Sequence, residues 1–459
     1  MKSLLLKILV GGFILVLALV LSVLFINRKD EPPSQTTLDL HRITENATSV
    51  DDRENAYVYV AGFSAADDSD ARRVGLDRVE WHRTFSATSK PGRIAEWPGA
   101  KRDSSEMRDA ELKQFSKLCK ENNRACADAM DREPARVANW IQRDAKLIAR
   151  YEDLLNFTHW RNLWPSDVTS PMLPYGHVME AQRLTLLKAW QMAGMGDDAG
   201  CKGLLERDLR FWRMTLSESA SLIEKMIAVA AIEQHFMIGN LALRRLSPAN
   251  ASKAIPAGWS EPITNRERSM AKTMANEWAF FEKNAADGAR NEVLGQKKGA
   301  SVFDAFTSEQ FAGRLFQKQA TSNAYAVRLM GIVKLFDHDY AALPGAAETL
   351  LTSKELGQKD ITEIGVYNPI GHILVNLNNL SDFTKYGFRV ANLEGVRRAS
   401  VLAAQFRSNG VEADEVKELL GKADLRDPYD GNAFGWNSKE NAIVFRRTLS
   451  GKPDLNIAY

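Results

Sequence analysis

The chain is poor in the residue types from which active sites are most often assembled. It has three cysteines and seven histidines among 459 residues, and the histidines are scattered. No His-Glu-x-x-His, Gly-x-Ser-x-Gly, Walker-type phosphate loop or EF-hand loop occurs. The common templates for zinc hydrolysis, serine hydrolysis, nucleotide binding and calcium binding are therefore not met. The cysteine spacing fits no zinc site, because no ligand pair follows it. An excess of one charge is lacking as well: 60 basic residues face 58 acidic ones, a net charge of +2. That balance gives no reason to expect a nucleic-acid partner. No catalytic residue, cofactor or metal ion is expected on these grounds.

What the sequence does have is one long apolar run. Ile8 to Ile26 are 19 positions without a charge, which as a helix would span roughly 28 Å, close to the hydrocarbon thickness of a bilayer. Lys2 and Lys7 precede the run, and Arg28 and Lys29 follow it. Flanking charge is thus nearly balanced, and the short N-terminal tail decides the expected topology: N-terminus in the cytoplasm, remainder translocated. The run is too long for an ordinary signal peptide. Its exit, FINRKDEPP, offers neither a small-x-small cleavage site nor a lipid-accepting cysteine. Residues 1–27 are read as a single-pass membrane anchor and 28–55, with Pro32-Pro33, as a polar linker.

The rest reads as mainly α. Apolar residues recur at three- and four-residue steps through Val137, Trp140, Ile141, Ile148 and Tyr151, and through later segments. Helices are expected over Ala71–His82, Tyr175–Ala193, Asp197–Leu216, a segment capped by Ser217, Tyr325–Phe336 and Leu393–Arg407. Capping boxes are expected at Thr264–Glu267 and Thr307–Gln310. Ala56 to Phe63, AYVYVAGF, suggests a short strand. The short connections imply antiparallel helical hairpins in an irregular bundle or solenoid across 56–426, with no fixed repeat. Within 427–459, alternation of Phe434, Trp436, Ile443 and Phe445 predicts a small β-hairpin with one apolar face, docked on the last helices. Cys119 and Cys126 would lie about 10 Å apart on a straight helix, too far to bond. The Asn122-Asn123 turn between them predicts a helix–turn–helix closed by a disulfide, which suits an extracytoplasmic body.

Taken together, NAYVYVAGF, the cysteine pair, DLRFWR (Asp208–Arg213), LIEKMIAVAA (Leu222–Ala231), NPIGHIL (Asn368–Leu374) and DPYDGNAFGW near the C-terminus make the chain resemble a group of membrane-anchored, periplasm-facing proteins of Gram-negative bacteria. The resemblance covers nearly the whole chain. It implies an inner-membrane anchor and a periplasmic body, and it implies no activity.

Local patterns that resemble chemistry have plainer readings. Ser269-Met270-Ala271-Lys272 matches Ser-x-x-Lys but lacks the supporting Lys-Thr-Gly. Gly194-Met195-Gly196-Asp197-Asp198 follows a helix rather than a strand, and its aspartates would repel a phosphate. Lys225, in an apolar run, is expected to lay its stem on the core and its ammonium in water. Two functions remain. The first is a binding or scaffolding module of the cell envelope, its partner an envelope or secreted protein. The alternative is an envelope hydrolase whose site gathers His177, Glu180, Glu233 and His235. The two differ in whether those four side chains converge in one cleft.

Overall fold

The computed structural model describes residues 2–45, 49–88, 96–99, 101–103, 109–121, 123–163, 171–294, 313–353, 365–377 and 379–459. The Thr307–Gln310 capping pattern lies outside them. The apolar run forms α1 (Lys2–Ile26). Phe13 and Leu15 are 69% and 64% exposed, and exposure of this kind runs along the helix. Lys7–Ile26 is long and apolar enough to cross a membrane.

The remaining helices, in chain order, are α2 (Gln35–Glu45), α3 (Ala56–Ala61), α4 (Ala71–Thr88), α5 (Ala110–Glu121), α6 (Asn123–Arg132), α7 (Pro134–Arg143), α8 (Ala145–Leu154), α9 (Tyr175–Gly194), α10 (Asp198–Glu218) and α11 (Leu222–Leu243). They continue as α12 (Pro248–Ala254), α13 (Asn265–Arg268), α14 (Ala271–Leu294), α15 (Lys318–Leu335), α16 (Leu343–Thr352), α17 (Pro369–Leu377), α18 (Leu380–Ser408) and α19 (Val416–Lys422). The described residues divide into two compact units. One holds Met1–Asn46, Met274–Lys334 and Ala347–Phe383; the other holds Ala47–Thr273, Leu335–Ala346 and Thr384–Tyr459.

In the first unit, the segment read as a linker is fastened down. It carries α2, with Thr37 and Leu40 buried. Asp30 accepts from the backbone N–H groups of Gln319 (2.7 Å) and Ala320 (2.9 Å) in the first turn of α15, where orphan amides and the helix dipole favour a carboxylate. Asn323 accepts from Ser34 N and the Thr37 hydroxyl, both at 2.9 Å, and donates to Pro32 O at 2.9 Å. Proline-rich polarity alone reads as a linker. These bonds between residues 286 to 291 positions apart are invisible to local pattern.

In the second unit, α9, α10 and α11 pack on one another. α11 is long and apolar, yet most of it is buried inside the fold, and it carries Glu224, Lys225, Glu233 and His235. It is a core helix. Its N-cap is Ser221, closing a capping box with Glu224, rather than Ser217. The turn before α10 is built from Gly196 at φ +79° and Asp197, whose side chain accepts from Gly200 N. The glycine-aspartate run is thus a helix stop followed by a helix start. The capping box at Thr264 forms, but its helix α13 is only four residues long.

The expected strand at Ala56–Phe63 is the helix α3. Asn55 caps it by accepting from Tyr57 N, and all six of its residues are buried. A run buried on every side has no period to betray its type, and the tertiary fit decides. Gly62 and Gly75 let α3 and α4 touch: a Cβ on Gly62 would fall 1.9 Å from Ala71 O, and one on Gly75 2.0 Å from Val58 O.

Cys119 and Cys126 are bonded across the junction of α5 and α6, with Cα atoms 4.6 Å apart, and Cys201 is a buried free thiol. Thiol counting on the unfolded, unreduced protein is therefore expected to find one reactive group. A count of three would refute the bond. Reduction should lower stability by about 2 to 3 kcal/mol, since so short a loop removes little chain entropy.

The C-terminal segment adds a strand to the expected hairpin. β1 (Gly435–Asn437), β2 (Ala442–Phe445) and β3 (Leu455–Ala458) form an antiparallel sheet in the order β1-β2-β3. Trp436 pairs with Ile443, and Ile443 with Ile457. The apolar face forms as expected, but its anchors are Ile443, Phe445 and Ile457, all fully buried, whereas Trp436 is only half-buried. The sheet docks on α18, where the Phe445 ring lies over Gly395.

Candidate functional site

The second unit holds a sealed polar network and an open cleft. The network centres on Asp208, on the face of α10 that also carries Leu204, Leu205 and Trp212. Its carboxylate accepts from the Tyr151 hydroxyl (2.5 Å), from Nδ1 of His235 (2.8 Å) and from the Gln182 amide (3.2 Å). Tyr151 in turn accepts from Trp212 Nε1 at 2.7 Å, and burial with the nearby Asp208 charge drives its pKa well up. Nε2 of His235 accepts from Trp259 Nε1 at 2.8 Å.

That last contact fixes the histidine's tautomer. An indole N–H can only donate, so Nε2 must be the bare nitrogen and Nδ1 must carry the hydrogen given to Asp208. The Asp–His pair has the bond by which a catalytic histidine is oriented. Its reactive lone pair, however, is already engaged by Trp259. Asp208, His235 and Trp259 have no solvent exposure. As placed, the group braces four helices, α8 through Tyr151, α9 through Gln182, α10 through Asp208 and α11 through His235, and is sealed from solvent.

The other sequence-suggested residues go elsewhere. His177 faces the Arg102 carbonyl at 2.9 Å. Glu233 pairs with Arg447 at 3.1 Å and Lys452 at 3.2 Å. Glu180 is buried in α9. His177, Glu233 and His235 thus serve three different partner sets. The sequence marked Tyr151 only as a core position of a helix, and assigned Asp208 and Trp259 no role in a site. The available signal was an acid at a core-facing position, in the series Cys201, Leu205, Asp208, Trp212 at helical spacing.

Lys225 departs from expectation. Its side chain is 2% exposed rather than reaching water, and Nζ donates to the carbonyls of Leu216 (2.9 Å) and Glu267 (3.1 Å). Burial pushes its pKa down to about 7; Lys272 lowers it further and Glu267 acts the other way. The unfolded chain holds this proton up to about pH 10.4. Between pH 7 and that value the unfolded state binds more protons, so folding stability rises with pH, and below pH 7 the contribution is flat. The stability difference between wild type and Lys225→Met should therefore move in favour of wild type by about 2 to 3 kcal/mol from pH 7 to pH 9. Parallel pH profiles in urea titrations would show that the ammonium is not confined.

The open cleft has a volume of about 910 Å³ and lies over α9, α10 and the segment 256–267. Both charge signs line it, with Arg207, Arg210 and Arg266 against Glu206 and Glu261, and Met192 and Met214 supply apolar surface. Its floor is rigid where Arg213 clamps Glu267 with two bonds of 2.6 and 3.0 Å and also donates to the carbonyls of Glu261 and Pro262. Among the described residues no cluster of three metal-ligating side chains occurs. No protein-family model, curated protein or solved structure matches the chain.

Proposed function

We propose that the protein is a membrane-tethered binding or scaffolding module of the cell envelope. α1 anchors it in the inner membrane of a Gram-negative cell, and the helical units stand in the periplasm. The observation that carries the binding role is the cleft. Its 910 Å³ are lined by Arg207, Arg210 and Arg266 together with Glu206 and Glu261, beside the Arg213–Glu267 clamp. Such a surface suits a charged segment of a partner protein, for which charge pattern sets specificity and encounter rate. The Cys119–Cys126 bond fits an oxidising compartment.

Two measurements test this reading. A reporter that is active only outside the cytoplasm, fused after Tyr459, should give signal in the membrane fraction. Signal from a cytoplasmic reporter alone would reverse the orientation. Detergent extraction of tagged full-length protein should yield a stoichiometric partner by mass spectrometry. The double variant Arg207→Glu, Arg266→Glu should lose that partner while melting like wild type. A partner retained by this variant does not bind in the cleft.

A further inference from the structure

We propose that α17 is an interfacial helix, seated in the headgroup–acyl boundary of the same bilayer that α1 spans. This rests on the anchored reading of α1. From Gly365 to Leu377 the chain has no Asp, Glu, Lys or Arg. The inner face of α17 buries Gly371, Leu374 and Val375. Its outer face is apolar too: Ile373 and Leu377 are 43% and 63% exposed, half-buried Ile370 continues the stripe, and Val366, just before the helix, is 52% exposed. The polar side chains of α17, His372 and Asn376, are half-buried, so the helix turns an apolar stripe outward where a water-facing surface helix would carry polar residues.

Its position says what covers it. The start of the segment is tied to the end of the membrane helix. The Asn27 side chain donates to Val366 O at 2.8 Å and accepts from Asn368 N at 2.7 Å. Gln317 donates to Asn27 O at 2.6 Å and, through its own N–H, to the Asn368 side chain at 2.8 Å. Asn368 is held at φ +51° in this knot, and Gly371 admits the Thr321 hydroxyl, which would lie 2.0 Å from a Cβ. The last two turns of α1 are themselves partly covered on one side, at Val20, Val23 and Leu24, with Asn27 buried. Val20 to Asn27 is a rise of roughly 10 Å, so protein stands beside α1 at the level of the bilayer's outer zone. The Tyr367 hydroxyl donates to Lys29 O at 3.3 Å, and tyrosine is a residue enriched at that depth. Outward apolar side chains on a helix that starts at this level would meet lipid.

The test uses the full-length protein in lipid nanodiscs, with a fluorophore on Ile373→Cys, Leu377→Cys or, in the span, Val16→Cys. The native disulfide is kept oxidised, and Cys201 is buried. Nitroxides attached to lipid at shallow or deep acyl positions compete with aqueous iodide as quenchers. The shallow nitroxide should quench labels at 373 and 377 several-fold more than iodide does, and the deep one should quench the label at 16. If 373 and 377 are open to iodide while 16 is quenched by lipid, the interfacial seat is wrong and the anchor stands. If 373 and 377 are shielded from both quenchers, a second copy or a partner protein covers the face, and the proposal again fails. If 16 is open to iodide, the anchor fails and the interfacial seat with it.

Discussion

Replacing Asp208 by alanine is expected to destabilise the second unit by about 3 to 5 kcal/mol, the range for stripping a buried charge-assisted network of its centre. Three donors converge on that carboxylate: the Tyr151 hydroxyl, His235 Nδ1 and the Gln182 amide. None of them can turn to water, because Tyr151, Gln182 and His235 have no solvent exposure. Each donor left unpaired costs about 1 to 3 kcal/mol, partly recovered by relaxation. Asparagine at 208 should be milder, since it keeps one acceptor oxygen but turns an amide donor toward a group that also donates. Urea titration would give the size of the effect. Near-ultraviolet circular dichroism would give its place, because Trp212 and Trp259 close the two ends of the network. A loss below about 1 kcal/mol for Asp208→Ala would mean that the network is open to water in solution and that His235 is available for chemistry after all.

Phe445→Ala is the second large effect, with about 3 to 5 kcal/mol expected for truncating a fully buried aromatic. The ring fills the space that Gly395 leaves on α18: a Cβ there would lie 2.2 Å from a ring atom. It also meets Phe434 edge to face at 6.1 Å, and its strand neighbour across the sheet is Leu455. Gly395→Ala should therefore cost about 1 to 3 kcal/mol in wild type through overpacking, and less in the Phe445→Ala background, where the methyl enters vacated space. That sign of coupling in a double-mutant cycle is specific to the contact. Trp436→Ala should cost less than Phe445→Ala, because Trp436 keeps an exposed edge. The reverse order would place the sheet's anchor at β1 instead of β2.

Elements whose cause is local can be read directly from neighbouring residues. An uncharged run of 19 residues, Ile8 to Ile26, can be little else than a membrane-length helix. The capping box at Thr264 and the stop at Gly410, which adopts φ +69°, are written in neighbouring residues. The cysteine pair was legible because the Asn-rich stretch between Cys119 and Cys126 favours a turn that brings them within bonding distance. Two turns around the C-terminal strands have equally local causes, with Gly431 at φ +69° and the Asn437 side chain accepting from Lys439 N.

Tertiary structure alone decided everything that needs a distant partner. A polar stretch after Pro32-Pro33 is bound or loose according to whether Asn323 lies opposite it. AYVYVAGF is helix rather than strand because Gly62 and Gly75 admit a close helix crossing. Lys225 is buried rather than snorkelling because Leu216 O and Glu267 O sit where its ammonium ends. Asp208 looks like any helical acid until Tyr151 and His235 arrive from other helices. In each case the side chain's own chemistry permits two outcomes of similar free energy, and the partner brought by the fold selects between them.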